Sequence, residues 1–290
     1  MTSSYSPPER KRRRGTRVFQ PPELSAAGIT PDKSLGQHFL TDRRVTDQIV
    51  AAALLRGTET VVEVGAGLGV LTEALAAAAG RVLAIEIDAD LCAYLRRRFE
   101  GVANVRVEQR DIFAVDPAAL LGPAESDYGV VGNLPYNAGT AIIRHLLEAA
   151  HPPRWLVVML QREVAEAVAA SPGDLSLVGV AVQVYAEARC LFHVPPAAFY
   201  PPPKVRSTVL RLDVRPRPLV PAEECERFFG VVRAGFSAPR KQLRNSLALG
   251  LKVASAEALA LLARAGIDPT LRPAALAVED WLRLSRAVVS

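Results

Sequence analysis

Thr60-Val61-Val62-Glu63-Val64-Gly65-Ala66-Gly67-Leu68-Gly69 is the stretch whose reading decides the fold. Four β-prone residues around Glu63 read as a short buried strand, and three glycines at alternate positions break it. Apolar spacing over residues 70–79 then predicts a helix. A strand that enters a helix through a glycine turn lets a ligand approach the backbone closely. Outward from this unit the signals alternate: strands over 81–85, 105–108, 128–131 and 155–160, and helices over 42–55, 89–99, 138–149 and onward from Gln161. That alternation predicts an α/β protein with a doubly wound, Rossmann-like parallel sheet. Two further β-rich segments, 178–186 and 207–212, flank a proline-studded stretch and suggest an antiparallel hairpin at the sheet edge.

Arg215-Pro216-Arg217-Pro218 reads as a linker, because closely spaced prolines disfavour both helix and central strand. Beyond it helices are expected over 225–235, 240–249, 255–265 and 279–288. The expected division is a disordered basic arm over 1–30, a catalytic α/β domain over 31–213 and a small all-helical domain over 214–290. The 290 residues carry a formal net charge of +5. Residues 1–17 alone contribute six Arg or Lys against one Glu, and residues 214–290 contribute twelve against seven. Basic ends around an acidic middle suit a catalytic body whose polyanionic substrate is held at its flanks. No run of apolar residues approaches membrane-spanning length, and the start of the chain lacks a signal-peptide core, so a cytoplasmic location is expected. Cys92, Cys190 and Cys225 lie far apart and read as reduced thiols, with no metal-ligand spacing. His145, His151 and His193 read as structural or surface residues.

The glycine turn has Val70 where a dinucleotide fingerprint would place its third glycine, so a pyrophosphate is disfavoured. Glu86 ends the next strand, where a carboxylate can accept ribose hydroxyl protons, and Asp111 follows the third strand within reach of an adenine amino group. Turn and acids together fit a nucleoside without phosphates, which points to S-adenosylmethionine. Gly132-Asn133-Leu134-Pro135-Tyr136 follows the fourth strand. The lone pair of an adenine amino group is delocalised into the ring, and a catalyst gains by localising it. The Asn133 side-chain oxygen and the Leu134 carbonyl can each accept one N–H, Pro135 stiffens the turn, and Tyr136 offers a stacking face to a flipped base.

With these pieces in place the chain resembles the ribosomal RNA adenine N6,N6-dimethyltransferases, specifically the small-subunit branch. The resemblance rests on Leu35-Gly36-Gln37-His38-Phe39-Leu40, the glycine turn, Glu86-Ile87-Asp88, Asp111, Gly132 to Asn137 and Met159 to Ala165. Phe199-Tyr200-Pro201-Pro202-Pro203-Lys204-Val205 and Phe236 to Asn245 complete it. It implies a class I methyltransferase sheet with a helical tail, and cofactor contacts at His38, Leu40, Gly65, Glu86, Asp111 and Asn133. It also implies catalysis at Asn133 with Leu134 and Tyr136, and base stacking by Tyr136 with Phe199 as a second face. The implied partner is small-subunit rRNA in an assembling subunit, with no membrane and no metal, and RNA docking falls to Arg240, Lys241 and Arg244 on one helix. Leu134 favours the small-subunit branch, since relatives acting on the large subunit usually carry isoleucine there. Ala66, Arg206 and Ala274 replace residues frequent in the family, and His38 stands where asparagine is common.

Overall fold

The computed structural model describes residues 37–122 and 127–288, together with Pro21, Leu24, Gly28 and Pro31. Most of the expected basic arm, and Leu35-Gly36 of the first motif, lie outside the described residues. Leu24 departs from the expectation of a free arm, for it is fully buried against Phe39, Leu68 and Leu91.

Seven strands form the main sheet: β2 (Thr60–Val64), β3 (Arg81–Glu86), β4 (Val105–Gln109), β5 (Tyr128–Asn133), β6 (Trp155–Gln161), β7 (Ala186–Val194) and β9 (Ser207–Val214). Their spatial order is β4-β3-β2-β5-β6-β9-β7; the first five are parallel, while β9 runs antiparallel to β6 and β7 antiparallel to β9. A separate two-stranded ladder pairs β1 (Phe39–Leu40) with β8 (Phe199–Tyr200). The strand order reverses between β2 and β5, so the crevice at their carboxyl ends is the place where such sheets take ligands.

Helices cover both faces, which is why β2, β3, β5 and β6 read as nearly continuous apolar runs. Alternate residues divide the core. Val62, Val64, Leu83 and Ile85 pack on one face with α5 (Gly139–Leu147), while Val61, Val82, Val131 and Val157 pack on the other with α1 (Arg43–Ala53) and α2 (Val70–Ala78). The unit α3 (Ala89–Arg98) joins β3 to β4, and α4 (Pro117–Leu121) precedes β5.

The β-rich reading of 178–186 is corrected. After α6 (Arg162–Val168), residues Leu177–Gln183 form helix α7, capped where the Ser176 hydroxyl accepts the Gly179 N–H at 3.1 Å. Its valines face two cores at once, Val182 the sheet and Val180 and Val184 the C-terminal helices. A helix buried on two sides loses the helical period and mimics a strand in sequence. The edge hairpin exists, but its first arm is β7, a more polar strand with a bulge between Cys190 and Phe192.

The tail is helical: α8 (Cys225–Gly235), α9 (Leu243–Leu251), α10 (Ser255–Ala265) and α11 (Val278–Ala287) enclose their own core around Phe228, Leu247, Leu262 and Trp281. Among the described residues no single helix is long and apolar enough to cross a membrane.

Glu63 is the charged exception inside the sheet. Its carboxyl lies fully buried between β2 and α2, 2.6 Å from the Thr72 hydroxyl. Loss of hydration pushes its pKa up to about 8, against the opposing hydrogen bond from Thr72. The folded protein therefore keeps a proton that the unfolded chain releases between its ordinary value of 4.5 and about 8. Stability from this group is full below that window and is lost as pH rises through it. Glu63→Gln is expected to flatten the fall in Tm between pH 5 and 8 and to raise Tm at pH 8 by more than about 3 °C, a shift worth about 1 kcal/mol; thermal unfolding across that range checks it, and parallel curves for the two proteins would contradict it.

Candidate active site

The turn after β2 is built from backbone conformations that only glycine adopts freely: Gly65, Gly67 and Gly69 have φ of 76°, 56° and 75°. Gly65 N–H donates to the Ile85 carbonyl at 2.9 Å, tying the turn to the end of β3. Gly67 N–H donates to Glu86 Oε2 at 2.9 Å, while Glu86 Oε1 accepts from Ile87 and Asp88 at 2.9 and 3.1 Å. Burial raises the Glu86 pKa, and these three backbone donors oppose the rise. An ionised carboxylate has about four acceptor directions, so the turn leaves about one for a ligand hydroxyl.

Turn, β3 end and β5 end enclose a cavity of about 270 Å³. Its walls include His38, Phe39, Gly65, Gly67, Glu86, Ile87, Asp111, Phe113, Asn133, Leu134 and Tyr136. Asp111 Oδ1 accepts the Phe113 N–H at 3.0 Å, which orients the carboxylate and leaves Oδ2 for a ligand. Ile87 and Phe113, 53% and 45% exposed, are large apolar side chains beside strand-end acids. They suit the two faces of a flat heterocycle.

Asn133 closes β5 at the opposite wall. Its Nδ2 donates to the His38 carbonyl at 2.8 Å. A carbonyl only accepts, so this bond fixes which way the amide points and leaves Oδ1 as its acceptor. Pro135's carbonyl takes both the Ala138 and Gly139 N–H groups at 3.1 and 2.8 Å, whereas among the described residues no donor reaches the Leu134 carbonyl. Two acceptors, Asn133 Oδ1 and Leu134 O, thus stand on adjacent residues.

Tyr136 is braced on two sides. Its hydroxyl lies 2.6 Å from Ser207 Oγ, and its ring sits 5.4 Å from the His38 ring, tilted by 31°. Burial raises its pKa, so the phenol stays neutral. His38 Nδ1 lies 2.6 Å from the Pro201 carbonyl and therefore carries the proton of that bond.

Leu40 and Phe199 stand apart from the other expected site residues. They pair across β1 and β8, and both side chains are buried in the core with Val45, Ile49 and Val209. Neither lines the cavity, because strand alternation sends Phe39 to it and Leu40 away. The helix expected over 240–249 starts at Leu243, so Arg240 and Lys241 occupy the exposed turn before α9 and only Arg244 is on the helix. His145, His151 and His193 contact Val115 O, Asp116 and Thr208 at 3.0, 3.8 and 2.8 Å, all away from the cavity walls. Among the described residues no group of three or more His, Cys, Asp or Glu could hold a metal ion.

The model of the family described as ribosomal RNA adenine dimethylase matches residues 30–289. The chain belongs to the ribosomal RNA adenine dimethylase family. Proteins named ribosomal RNA small subunit methyltransferase A are similar to it. That of Dehalococcoides mccartyi is 42% identical over 87% of this chain and 86% of its own length, and that of Moorella thermoacetica is 42% identical over 90% and 93%. Among solved structures, the 23S rRNA methyltransferase ErmE superposes with a TM-score of 0.67 and 30% identity, covering 87% of this chain and all of that one. A dimethyladenosine transferase from Plasmodium falciparum, 24% identical, shares the fold with a TM-score of 0.72 over 85% and 96% of the two chains.

This dimethylase includes wall residues to which the motifs assign no role of their own. Phe39, Ile87 and Phe113 were detectable as apolar residues placed just before or after polar motif positions. Ser207 carried no local signal, since only the sheet register brings it to Tyr136. Gly132 shows how tightly the wall is set: a Cβ there would meet the Val64 carbonyl at 2.7 Å. Gly132→Ala is expected to lower Tm by roughly 3–10 °C, the effect of about 1–3 kcal/mol of overpacking. Gly230→Ala, whose Cβ enters open space in α8, should hold or raise Tm. Calorimetric scans of both variants decide the point, and equal Tm values would contradict it.

Proposed function

We propose that this dimethylase transfers methyl groups from S-adenosylmethionine to the N6 amino group of adenosines in small-subunit rRNA, two per base, during subunit assembly in the cytoplasm. The observation that carries the reading is the pair of acceptors, Asn133 Oδ1 and Leu134 O, on adjacent residues that line a cavity also lined by Glu86 and Asp111. The small-subunit assignment draws on the names of the 42% identical relatives.

The residues fit the cofactor. The left-handed glycine turn admits its amino-acid portion, Glu86 keeps an acceptor for a ribose hydroxyl, and Ile87, Phe113 and Asp111 offer two apolar faces and an acceptor for adenine. When bound, S-adenosylmethionine supplies an electrophilic methyl group on a sulfonium. Asn133 Oδ1 and Leu134 O each accept one N–H of the target amino group, which draws its lone pair out of conjugation and aims it across the cavity. Tyr136, held by Ser207 and His38, stacks the flipped base. No side chain needs to act as base, because the methylated nitrogen releases its proton readily to water. After the first transfer one N–H remains, and either acceptor suffices to hold it. Residues 31–213 are taken as the catalytic domain and 214–290 as a docking domain, with Arg240, Lys241 and Arg244 on phosphates.

Asn133→Ala is expected to lower kcat by at least about 100-fold, the scale seen when a preorganised hydrogen-bonding group is removed. Nucleoside mass spectrometry of unmodified small-subunit particles incubated with enzyme and cofactor should find N6,N6-dimethyladenosine from the wild type alone; monomethyladenosine as the end product would contradict the reading. Glu86→Ala should raise the Kd for S-adenosylmethionine about 10- to 100-fold, the worth of one hydrogen bond to a charged group. Isothermal calorimetry tests this, and an unchanged Kd would remove Glu86 from the cofactor site.

A further inference from the structure

The sheet topology places two cations on the loop that leads into Ser207, the partner of the cavity residue Tyr136. Because β9 runs antiparallel to β6, its first residue, Ser207, pairs with Gln161 at the carboxyl edge where the cavity opens. Ser207 is the residue whose hydroxyl holds Tyr136. Arg206 immediately precedes it, and its carbonyl accepts the Arg162 N–H at 2.9 Å, pinning the loop to the start of α6. Lys204, Val205 and Arg206 are all exposed, and residues 199–207 contain no acid. Among the described residues neither Lys204 nor Arg206 has a carboxylate within 4.0 Å. Arg162 differs, since Glu166 lies 3.6 Å from it.

Two exposed cations on one short loop that contains no acid present a positive surface to an external anion. An adenosine entering the cavity arrives with a phosphate on each side of its ribose. Unstacking that base costs a few kcal/mol, which charge-assisted contacts to the flanking backbone offset. We propose that Lys204 and Arg206 form a phosphate clamp on the RNA strand at the flipped adenosine, separate from the Arg240–Lys241 turn of the helical region. This rests on the reading of the substrate as RNA. The clamp holds the strand while Tyr136 stacks the base, so it acts on substrate capture rather than on methyl transfer itself.

The test is steady-state methyl transfer to unmodified small-subunit particles at several salt concentrations, comparing the full-length wild type with Lys204→Ala/Arg206→Ala and Lys204→Arg/Arg206→Lys. The alanine pair is expected to raise KM for the particle about tenfold and to flatten the dependence of log KM on log salt by roughly two units, about one per lost phosphate contact. The Kd for S-adenosylmethionine should not change, and the charge-conserving pair should recover most of the affinity. An alanine pair with wild-type KM and salt slope would overturn the clamp. So would a fall in kcat with KM unaltered, or equal losses in the alanine and charge-conserving pairs. A wild type that methylates no RNA would overturn the functional reading itself, and the clamp with it.

Discussion

The hydrogen bond from Asn133 Nδ2 to the His38 carbonyl, 2.8 Å long, is the constraint on which the site depends. A free asparagine amide can turn over and present either end to a substrate. Here Nδ2 is tied to the His38 carbonyl, so the amide is held in one orientation with Oδ1 as its acceptor. The Leu134 carbonyl supplies a second acceptor because the start of α5 takes the Pro135 carbonyl in its place. Both acceptors are therefore set by the fold before any substrate arrives, and preorganisation of that kind lowers the reorganisation a reaction must drive.

Holding His38 in place falls to segments far apart in the chain. The residues after it pair with Phe199–Tyr200, its ring is bonded to Pro201, and Thr41 N–H reaches the Ala198 carbonyl at 2.9 Å. Ser207, a few residues farther on, fixes Tyr136. The proline-rich stretch between β7 and β9 thus braces the cavity wall from behind through His38, and it reaches the carboxyl edge because the last two strands of the sheet run antiparallel to their neighbours. The parallel half of the sheet contributes Glu86 and the glycine turn at one end of the cavity, while the antiparallel half supports Tyr136 at the other.

Much of this was legible in sequence because the signals were local. The strand at 60–64 and the helices at 225–235 and 255–265 fall where their apolar spacing placed them. The glycine turn, Glu86, Asp111, Asn133 and Tyr136 follow strand ends in an order that topology converts directly into one crevice. The failures share a different physical origin. Helix α7 is buried on two sides and so lost its period. The side chains of Leu40 and Phe199, expected at the site through their motifs, pack in the core through alternation in a two-residue ladder and do not line the cavity. Pro239 and the turn after it delayed α9, separating Arg240 and Lys241 from the helix that carries Arg244. Contacts spanning the chain, such as His38 to Pro201 or Tyr136 to Ser207, leave no local trace at all.

The central claim is that this chain makes dimethyladenosine in small-subunit rRNA, and the most direct measurement is nucleoside mass spectrometry of that rRNA from cells with the gene intact, deleted and restored. The account predicts N6,N6-dimethyladenosine in the first, its absence in the second and its return in the third. Unchanged N6,N6-dimethyladenosine after deletion, or its loss from large-subunit rRNA instead, would contradict it.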